Sequence, residues 1–476
     1  MRAEADPPQP EGAQAEQPQV QQQQPQARQK IATGSYFLVG FLMLLNVLNF
    51  VDRQLLASFA NFIKPDLGLT DTQFGLLTGF AFIVFYSVMG LFAGALADRW
   101  HRPRLIALGV GLWSVLTAAS GAAANFAQLL VARMLIGVGE STMTPTSMSL
   151  MADRFPREVL GTASGIYYVG VPLGVGVSLM IAGYLGPAIG WRNCFYVLGA
   201  IGVVMALAML LVRDPQRTGG KSAGDATAAA DSEGAAQSTE AVSAGAEAQA
   251  AAVRKGLIRT VLETLQGSPA LTLTIAGGVT MHFILGAAAF DQLWLVEERG
   301  FDRAEIAIYS GWIACVFGII GNLVGGMLGD WWLRTFQSGR TMFLFWLSLL
   351  MLPLSLAYRW APVDGSWTEW VFWMGMAAGW FQLGAFYGPT FSTVQELAPE
   401  RVRATVVAFY ILSLNLVGLG IGATLGGVMI DELRSAGFDE PYTITLLVMT
   451  ALSAVSVVFF FAAGRRFQDE RSSQAA

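Results

Sequence analysis

The sequence predicts an all-α polytopic membrane protein, with twelve transmembrane helices in two pseudo-symmetric six-helix bundles. Three observations carry that prediction: the chain is apolar and poor in charge, its apolar residues fall in continuous runs of bilayer length, and short patterns of the first half recur in the second. Hydrophobic residues make up 54% of the 476 and charged residues 13%, against about 25% charged in an ordinary soluble domain. A bilayer core about 30 Å thick takes roughly 20 helical residues to cross. Continuous runs of that length exclude barrel strands, which alternate and are about half as long.

Residues 1–34, rich in Gln, Pro and Glu, lack the apolar core and cleavage site of a secretory signal; they read as a disordered cytoplasmic tail. The first bundle, 35–213, holds spans near 36–61, 72–97, 103–122, 126–151, 160–186 and 191–212. A cytoplasmic linker, 214–268, is dominated by Ala, Gly, Ser, Glu and Gln and cannot bury enough apolar surface to fold alone. Near its end "KGLIRTVLETLQ" (255–266) spaces Leu257, Ile258, Val261, Leu262 and Leu265 along one helical face. That face suits either the membrane surface or a cap on the bundle. The second bundle, 269–463, holds spans near 269–295, 304–329, 340–360, 369–395, 403–430 and 441–463, and 464–476 is a cytoplasmic tail.

Positive charge collects in alternate loops: "DRWHRPR" (98–104), "DRFPRE" (153–158), Arg213, Arg217 and Lys221, then Arg334 and Arg340, then "PERVR" (399–403). The other loops are poorer in Lys and Arg and often acidic, as in "DELRSAGFDE" (431–440). The bias predicts a multi-pass protein of the cell inner (plasma) membrane with both termini cytoplasmic. "GALADRW" (94–100) recurs as "GMLGDWW" (326–332), and "FPREVLGTASG" (155–165) as "APERVRATVVA" (398–408). Proteins built from such repeats hold substrate near the bilayer midplane, between halves that open alternately to either side.

Several classes are excluded on composition. A net charge of -5 implies no nucleic-acid partner. Cys194 and Cys315 sit in separate apolar runs and read as small buried hydrophobes. Two isolated His and two isolated Cys supply neither a nucleophile with its base nor a metal-ligand set, so no enzyme and no cofactor is expected. No GxxxxGK[ST] loop is present, which leaves an ion gradient, not ATP, as the driving force.

The residues resemble the major facilitator superfamily. "GALADRWHRPRLI" (94–106) is similar to that family's signature loop, departing from it at His101, where the family usually has Gly; "RMLIGVG" (133–139) and "GWRNCFYVLG" (190–199) are similar to its fourth-helix and sixth-helix elements. "NFVDRQ" (49–54) with "RMLIGVGES" (133–141) resembles the spinster branch, associated with lysolipids and sphingoid phosphates, and similar signatures mark the organic-anion and hexuronate symporters. The resemblance implies a proton-linked carrier of an amphiphilic anion, with organic-anion symport or drug efflux as the alternative. It also implies a cytoplasmic gate at Gly94, Asp98 and Arg99, with Asp330 as the weaker repeat partner. Arg102 belongs either to that gate or to the positive loop charge alone.

Four charges stand inside predicted spans, where each costs about 2.5–3.5 kcal/mol unless it faces the bundle interior and pairs. Asp52 and Arg53 lie roughly 24 Å along span 1, at a level Arg133 of span 4 shares; Glu140, two turns on, lies nearer the midplane. Asp52 is expected to pair with Arg133, Asp52 and Glu140 to exchange a proton, and Arg53 and Arg133 to trade partners or hold an anionic group. The competing reading is a fixed polar network tying span 1 to span 4. Around the predicted cavity stand Asn49, Tyr167, Tyr168, His282, Phe290, Gln382, Tyr387 and Asn415. Sparse polarity among many Phe, Met and Leu suits an amphiphile better than a sugar, which demands several hydrogen-bond partners. The expected partners are that small molecule and the lipid bilayer, with the chain acting as a monomer.

Overall fold

The computed structural model describes residues 33–97, 100–214, 259–399 and 402–475. All regular structure among them is helical. The first half contains α1 (Thr33–Ser58), α2 (Ala60–Leu67), α3 (Asp71–Thr78), α4 (Phe80–Ala97), α5 (Arg102–Gly121), α6 (Phe126–Glu140), α7 (Met143–Ala152), α8 (Arg157–Tyr184) and α9 (Gly186–Met209). A helix at 259–267, α10, precedes the second half. That half contains α11 (Pro269–Ala287), α12 (Asp291–Glu297), α13 (Arg303–Phe336), α14 (Arg340–Ala357), α15 (Glu369–Leu397), α16 (Arg403–Ser413), α17 (Gly422–Ser435) and α18 (Pro441–Ala475).

Local chemistry sets the boundaries. The Thr70 hydroxyl accepts from the Gln73 amide and the Gln73 side chain accepts from the Thr70 amide, which starts α3. Asn125 caps α6 and Asp302 caps α13 more simply, each side chain accepting from backbone amides of the first turn. Gly68, at φ 61°, ends α2 in the left-handed region that a glycine enters without penalty. Ten helical segments among the described residues are long and apolar enough to cross a membrane. The other two predicted spans differ. Span 4 is broken into α6 and α7, where Ser141 and Thr142 turn their hydroxyls onto the Val138 and Gly139 carbonyls and compete with the helical ladder. Span 10 is one 29-residue helix, α15, diluted by Gly, Trp, Gln and Thr.

Of the predicted amphipathic face in the linker, Leu257 and Ile258 lie outside the described residues. Val261 is buried, Leu265 packs against the second-half core, and Leu262 points outward, so the described turns of α10 rest on the bundle.

We call the face where α1 begins and α18 ends the terminal face, and the other the opposite face. Two apolar cores belong essentially to one half each, around Trp113 and Tyr167 in the first and Phe386 and Tyr410 in the second. A third joins the halves at the opposite face through Phe59, Phe74, Phe290, Trp294 and Tyr442. The halves meet along α8 with α13 and along α3 and α4 with span 11. Small residues permit the approach: a Cβ on Gly427 would stand 2.2 Å from the Asp71 carbonyl oxygen, and one on Gly75 2.4 Å from that of Ala423. Along α8 the contact fades toward the terminal face. A Cβ on Gly183 or Gly176 would strike α13, whereas one on Gly165 meets nothing within 4 Å. Among the described residues the halves are shut at the opposite face and part along α8 toward the terminal face.

Candidate functional site

The charge network is assembled where α1 crosses the broken fourth span. Gly137 and Gly139 let α6 press on α4 and α5; a Cβ on either would stand under 3 Å from a backbone oxygen of Phe82 or Gly109. This packing carries Glu140 to the break, fully enclosed beside α1. Arg53 meets it there: Nη2 and Nε donate to Glu140 Oε2 at 3.1 and 3.2 Å, and Oε1 has no partner. The Arg53 side chain keeps 19% of its surface exposed, and its guanidinium lies 4.5 Å from the Tyr86 ring centre, 4.9 Å from Phe50 and 5.1 Å from Phe82. A cation on aromatic faces is held without being neutralised.

Arg133 does not pair with the Asp52 carboxylate as expected. It donates to three backbone carbonyls, those of Arg53 at 3.2 Å and of Asp52 and Leu77 at 3.4 Å. Its side chain ends in the helix backbone, bracing α1 against α3 and α6. Asp52, 3% exposed, makes no hydrogen bond of good geometry through either carboxylate oxygen; Trp113 and Thr117 of α5 stand beside it as the nearest side-chain donors, and Glu140 and Arg133 are the charges around it. Burying a charge with no partner costs several kcal/mol.

The cavity candidates separate by position. Tyr168 is 43% exposed, and Tyr387 and Asn415 are half-buried on the second half. Tyr387 accepts or donates at 3.3 Å with His282 Nε2, while His282 Nδ1 sits 2.9 Å from the Gly278 carbonyl, so both ring nitrogens have a partner. His282 and Gln382 line a cavity of about 160 Å³ inside the second half, with the Arg359–Asp291 pair (2.9 Å) at one end; Gln382 donates to Ser348. Three other candidates do not face the cleft. Tyr167 is fully buried in the first-half core, with its hydroxyl 3.4 Å from Thr144. Phe290 is enclosed at the opposite face against Phe74. Asn49 is buried with its amide nitrogen unpartnered.

Of the predicted gate, Gly94 lies in α4, and Asp98 and Arg99 lie outside the described residues. Arg102 is 1% exposed and clamps its own half. Its guanidinium donates to Asp153 at 2.5 Å and Asp214 at 2.7 Å, joining α5, α7 and the end of α9. The second half repeats the device: Arg340 donates to Asp330 at 2.7 Å and to Glu396 at 2.6 Å. These clamps stiffen each half.

The polar groups that do cross between halves were not foreseen, and those seen among the described residues lie at the opposite face. Asp71 of α3 accepts from Lys64 at 2.8 Å, Tyr442 Oη at 2.8 Å and Arg434 at 3.3 Å. Glu297 of α12 lies 3.2 Å from Arg434 and 3.7 Å from Lys64. The Asp431 carboxylate accepts from the Asp71 and Thr72 amides at 3.1 and 2.7 Å, capping α3 from across the interface. Asp66, which lies outside the spans, accepts from Arg192 and Trp191 at the start of span 6, and they hold its carboxyl below the usual range. In the sequence Asp431 and Arg434 read as loop charge and Trp191 and Arg192 as part of the sixth-helix element, and nothing there joins them to Asp66, Asp71 or Glu297. Tyr86 and Phe82 were hidden among apolar neighbours.

Two six-span halves, sealed at one face and parting toward the other, with a buried charge network in the first half, define a carrier. Residues 42–416 match the Major Facilitator Superfamily, and the chain belongs to that family of transporters. Over 447 residues, 92% of this chain and 94% of its relative, it is 27% identical to an MFS-type efflux pump of Mycolicibacterium smegmatis. It is 24% identical to protein spinster of Drosophila melanogaster over 69% of this chain and 51% of that protein. The fold is similar to the crystal structure of a bacterial homolog of the human lysosomal transporter spinster in an inward-facing, unoccupied conformation. The TM-score is 0.73 at 24% identity, covering 92% of this chain and 98% of the other.

Proposed function

We propose that this transporter moves an amphiphilic anion by proton-coupled alternating access, lies in the cell inner membrane with its terminal face cytoplasmic, and is seen here open to the cytoplasm. The observation that carries the reading is the Arg53–Glu140 pair, in which the cation reaches the cleft and the carboxylate does not. An anionic headgroup entering from the terminal face competes with Glu140 for Arg53. Glu140, left buried without its cation, is then stabilised by taking a proton. Asp52, with no hydrogen bond of good geometry on either oxygen, is the second proton holder on the same helix crossing. Binding of the anion and of the proton are thereby linked through one guanidinium.

The apolar and aromatic character around Arg53, from Phe50, Phe82 and Tyr86, favours a ligand with an apolar body over a sugar acid. Outward drug export is the second reading, supported by the near full-length similarity to the mycobacterial efflux pump. Reconstitution in vesicles under an imposed pH gradient tests both. The proposal expects gradient-driven movement of a lysolipid anion and none of a hexuronate. Movement of hexuronate alone, or of a neutral drug alone, overturns it.

A further inference from the structure

A groove of about 510 Å³ opens at the terminal face between the start of α14 and the end of α18. It is lined by Ser338, Met342, Phe461, Arg465, Arg466 and Asp469 among others. It lies outside the inter-half cleft and plays no part in the transport reading. Arg465 lies about 24 residues into α18, which at ~1.5 Å per residue places it roughly 36 Å from the opposite end, the depth of a bilayer interface. Both guanidinium side chains are exposed, and neither Arg465 nor Arg466 hydrogen-bonds or pairs with an acid among the described residues. Arg465 rests over the Phe461 ring at 5.7 Å.

Toward the membrane interior the surface turns aromatic. Phe461 packs on Phe345 at 5.1 Å and Phe345 on Trp346 at 4.9 Å, and Trp346 and Phe461 are exposed. Trp331 and Phe336, whose rings meet at 5.7 Å at the end of α13 just before Ser338, are exposed as well. At the polar end the Ser338 hydroxyl is fixed by the Trp332 indole, which donates to it at 2.9 Å and leaves its proton free to donate outward. Asp469 stands in the groove and is itself engaged in an interaction. With two unpaired cations against it, the groove remains cationic.

A cationic, hydroxyl-bearing pocket with an aromatic strip beneath it matches one ligand chemistry: a phosphate ester on a hydrocarbon chain. We propose that this groove is a binding site for an anionic phospholipid of the terminal-face leaflet. Arg465, Arg466 and Ser338 hold its headgroup, and Phe461 and Trp346 line its acyl chains.

The test uses the full chain in detergent, titrated with phosphatidylglycerol, phosphatidylcholine or inorganic phosphate, with bound lipid counted by native mass spectrometry and thermal unfolding followed in parallel. Phosphatidylglycerol is expected to bind and raise Tm. The double variant Arg465→Ala/Arg466→Ala should bind it roughly 30-fold more weakly, at ~1 kcal/mol per basic side chain. Arg104→Ala, an exposed arginine of the same face, is expected to bind as the unaltered chain does. Equal binding of phosphatidylcholine, equal stabilisation by inorganic phosphate, or undiminished binding by the double variant overturns the proposal. Should the double variant fold poorly, Arg465→Gln alone is expected to lose several-fold in affinity, and no loss overturns the proposal.

Discussion

At the scale of single residues, the two carboxylates of the charge network differ in what they touch, so their replacement should differ in outcome. Glu140 holds Arg53; the Asp52 carboxylate makes no ion pair and no hydrogen bond of good geometry. Glu140→Gln keeps a hydrogen-bond acceptor for Arg53 and removes the carboxylate proposed to take the proton. Proton-driven accumulation is expected to fall at least tenfold while the chain still folds, measured as uptake with and without a pH gradient beside a thermal melt. Asp52→Asn removes no ion pair and exchanges one buried neutral-capable group for another. Its stability is expected to change by less than about 1 kcal/mol, with coupling nonetheless weakened. A large loss of stability would mean that the Asp52 carboxylate anchors α1 through groups that the hydrogen-bond geometry does not connect. Arg133→Ala belongs to a different class. It removes the side-chain donor that three carbonyls of α1 and α3 share and leaves a void where a buried guanidinium stood, so it should destabilise the first half by roughly 3 kcal/mol or more.

At the scale of elements, the opposite-face seal is a set of helix ends held by partners from the other half. Tyr442 Oη accepts from Lys64 and donates to Asp71 or Glu297, so Tyr442→Phe removes a hub and not merely one bond. About 1–2 kcal/mol of closed-state preference should go with it, read as faster reaction of an opposite-face cysteine with an impermeant maleimide. Gly427→Val acts more strongly through sterics, because its Cβ would stand 2.2 Å from the Asp71 carbonyl oxygen. That variant should favour the state open at the opposite face, or fail to transport. The spans themselves were legible from the apolar runs and loop charges, because bilayer thickness fixes their length. The break between α6 and α7 was not: "GESTMTP" (139–145) continues an apolar-looking helix, and only the hydroxyl bonds of Ser141 and Thr142 show the turn. The seal was illegible for the same reason. Lys64, Asp71, Glu297 and Tyr442 become neighbours through the packing of halves more than 200 residues apart.

At the scale of the whole molecule, the sequence repeat extends into side-chain wiring that the pattern alone did not reveal. Arg102 with Asp153 in one half corresponds to Arg340 with Glu396 in the other: each ties the start of a third span to the end of a fourth. Each half is thereby a stiff unit, and the proposed change of access would be carried by the surface between them, where α8 and α13 touch near Gly176 and Gly183 and part beyond Gly318. Of the candidate cavity residues, Tyr168, Tyr387 and Asn415 fall toward that surface. Tyr167, one position from Tyr168, points into the core, because successive residues of a helix face directions about 100° apart. Rigid halves rocking on a sealed edge make a definite prediction about access. In a chain whose buried Cys194 and Cys315 are replaced by Ala, Tyr168→Cys should react with an impermeant maleimide from the terminal face at least tenfold faster than from the opposite face. Adding the proposed lysolipid anion under a pH gradient should raise labelling from the opposite face and lower it from the terminal face. Labelling equal from both faces would describe a channel open throughout, and labelling fixed in one sense despite transport would place Tyr168 outside the path.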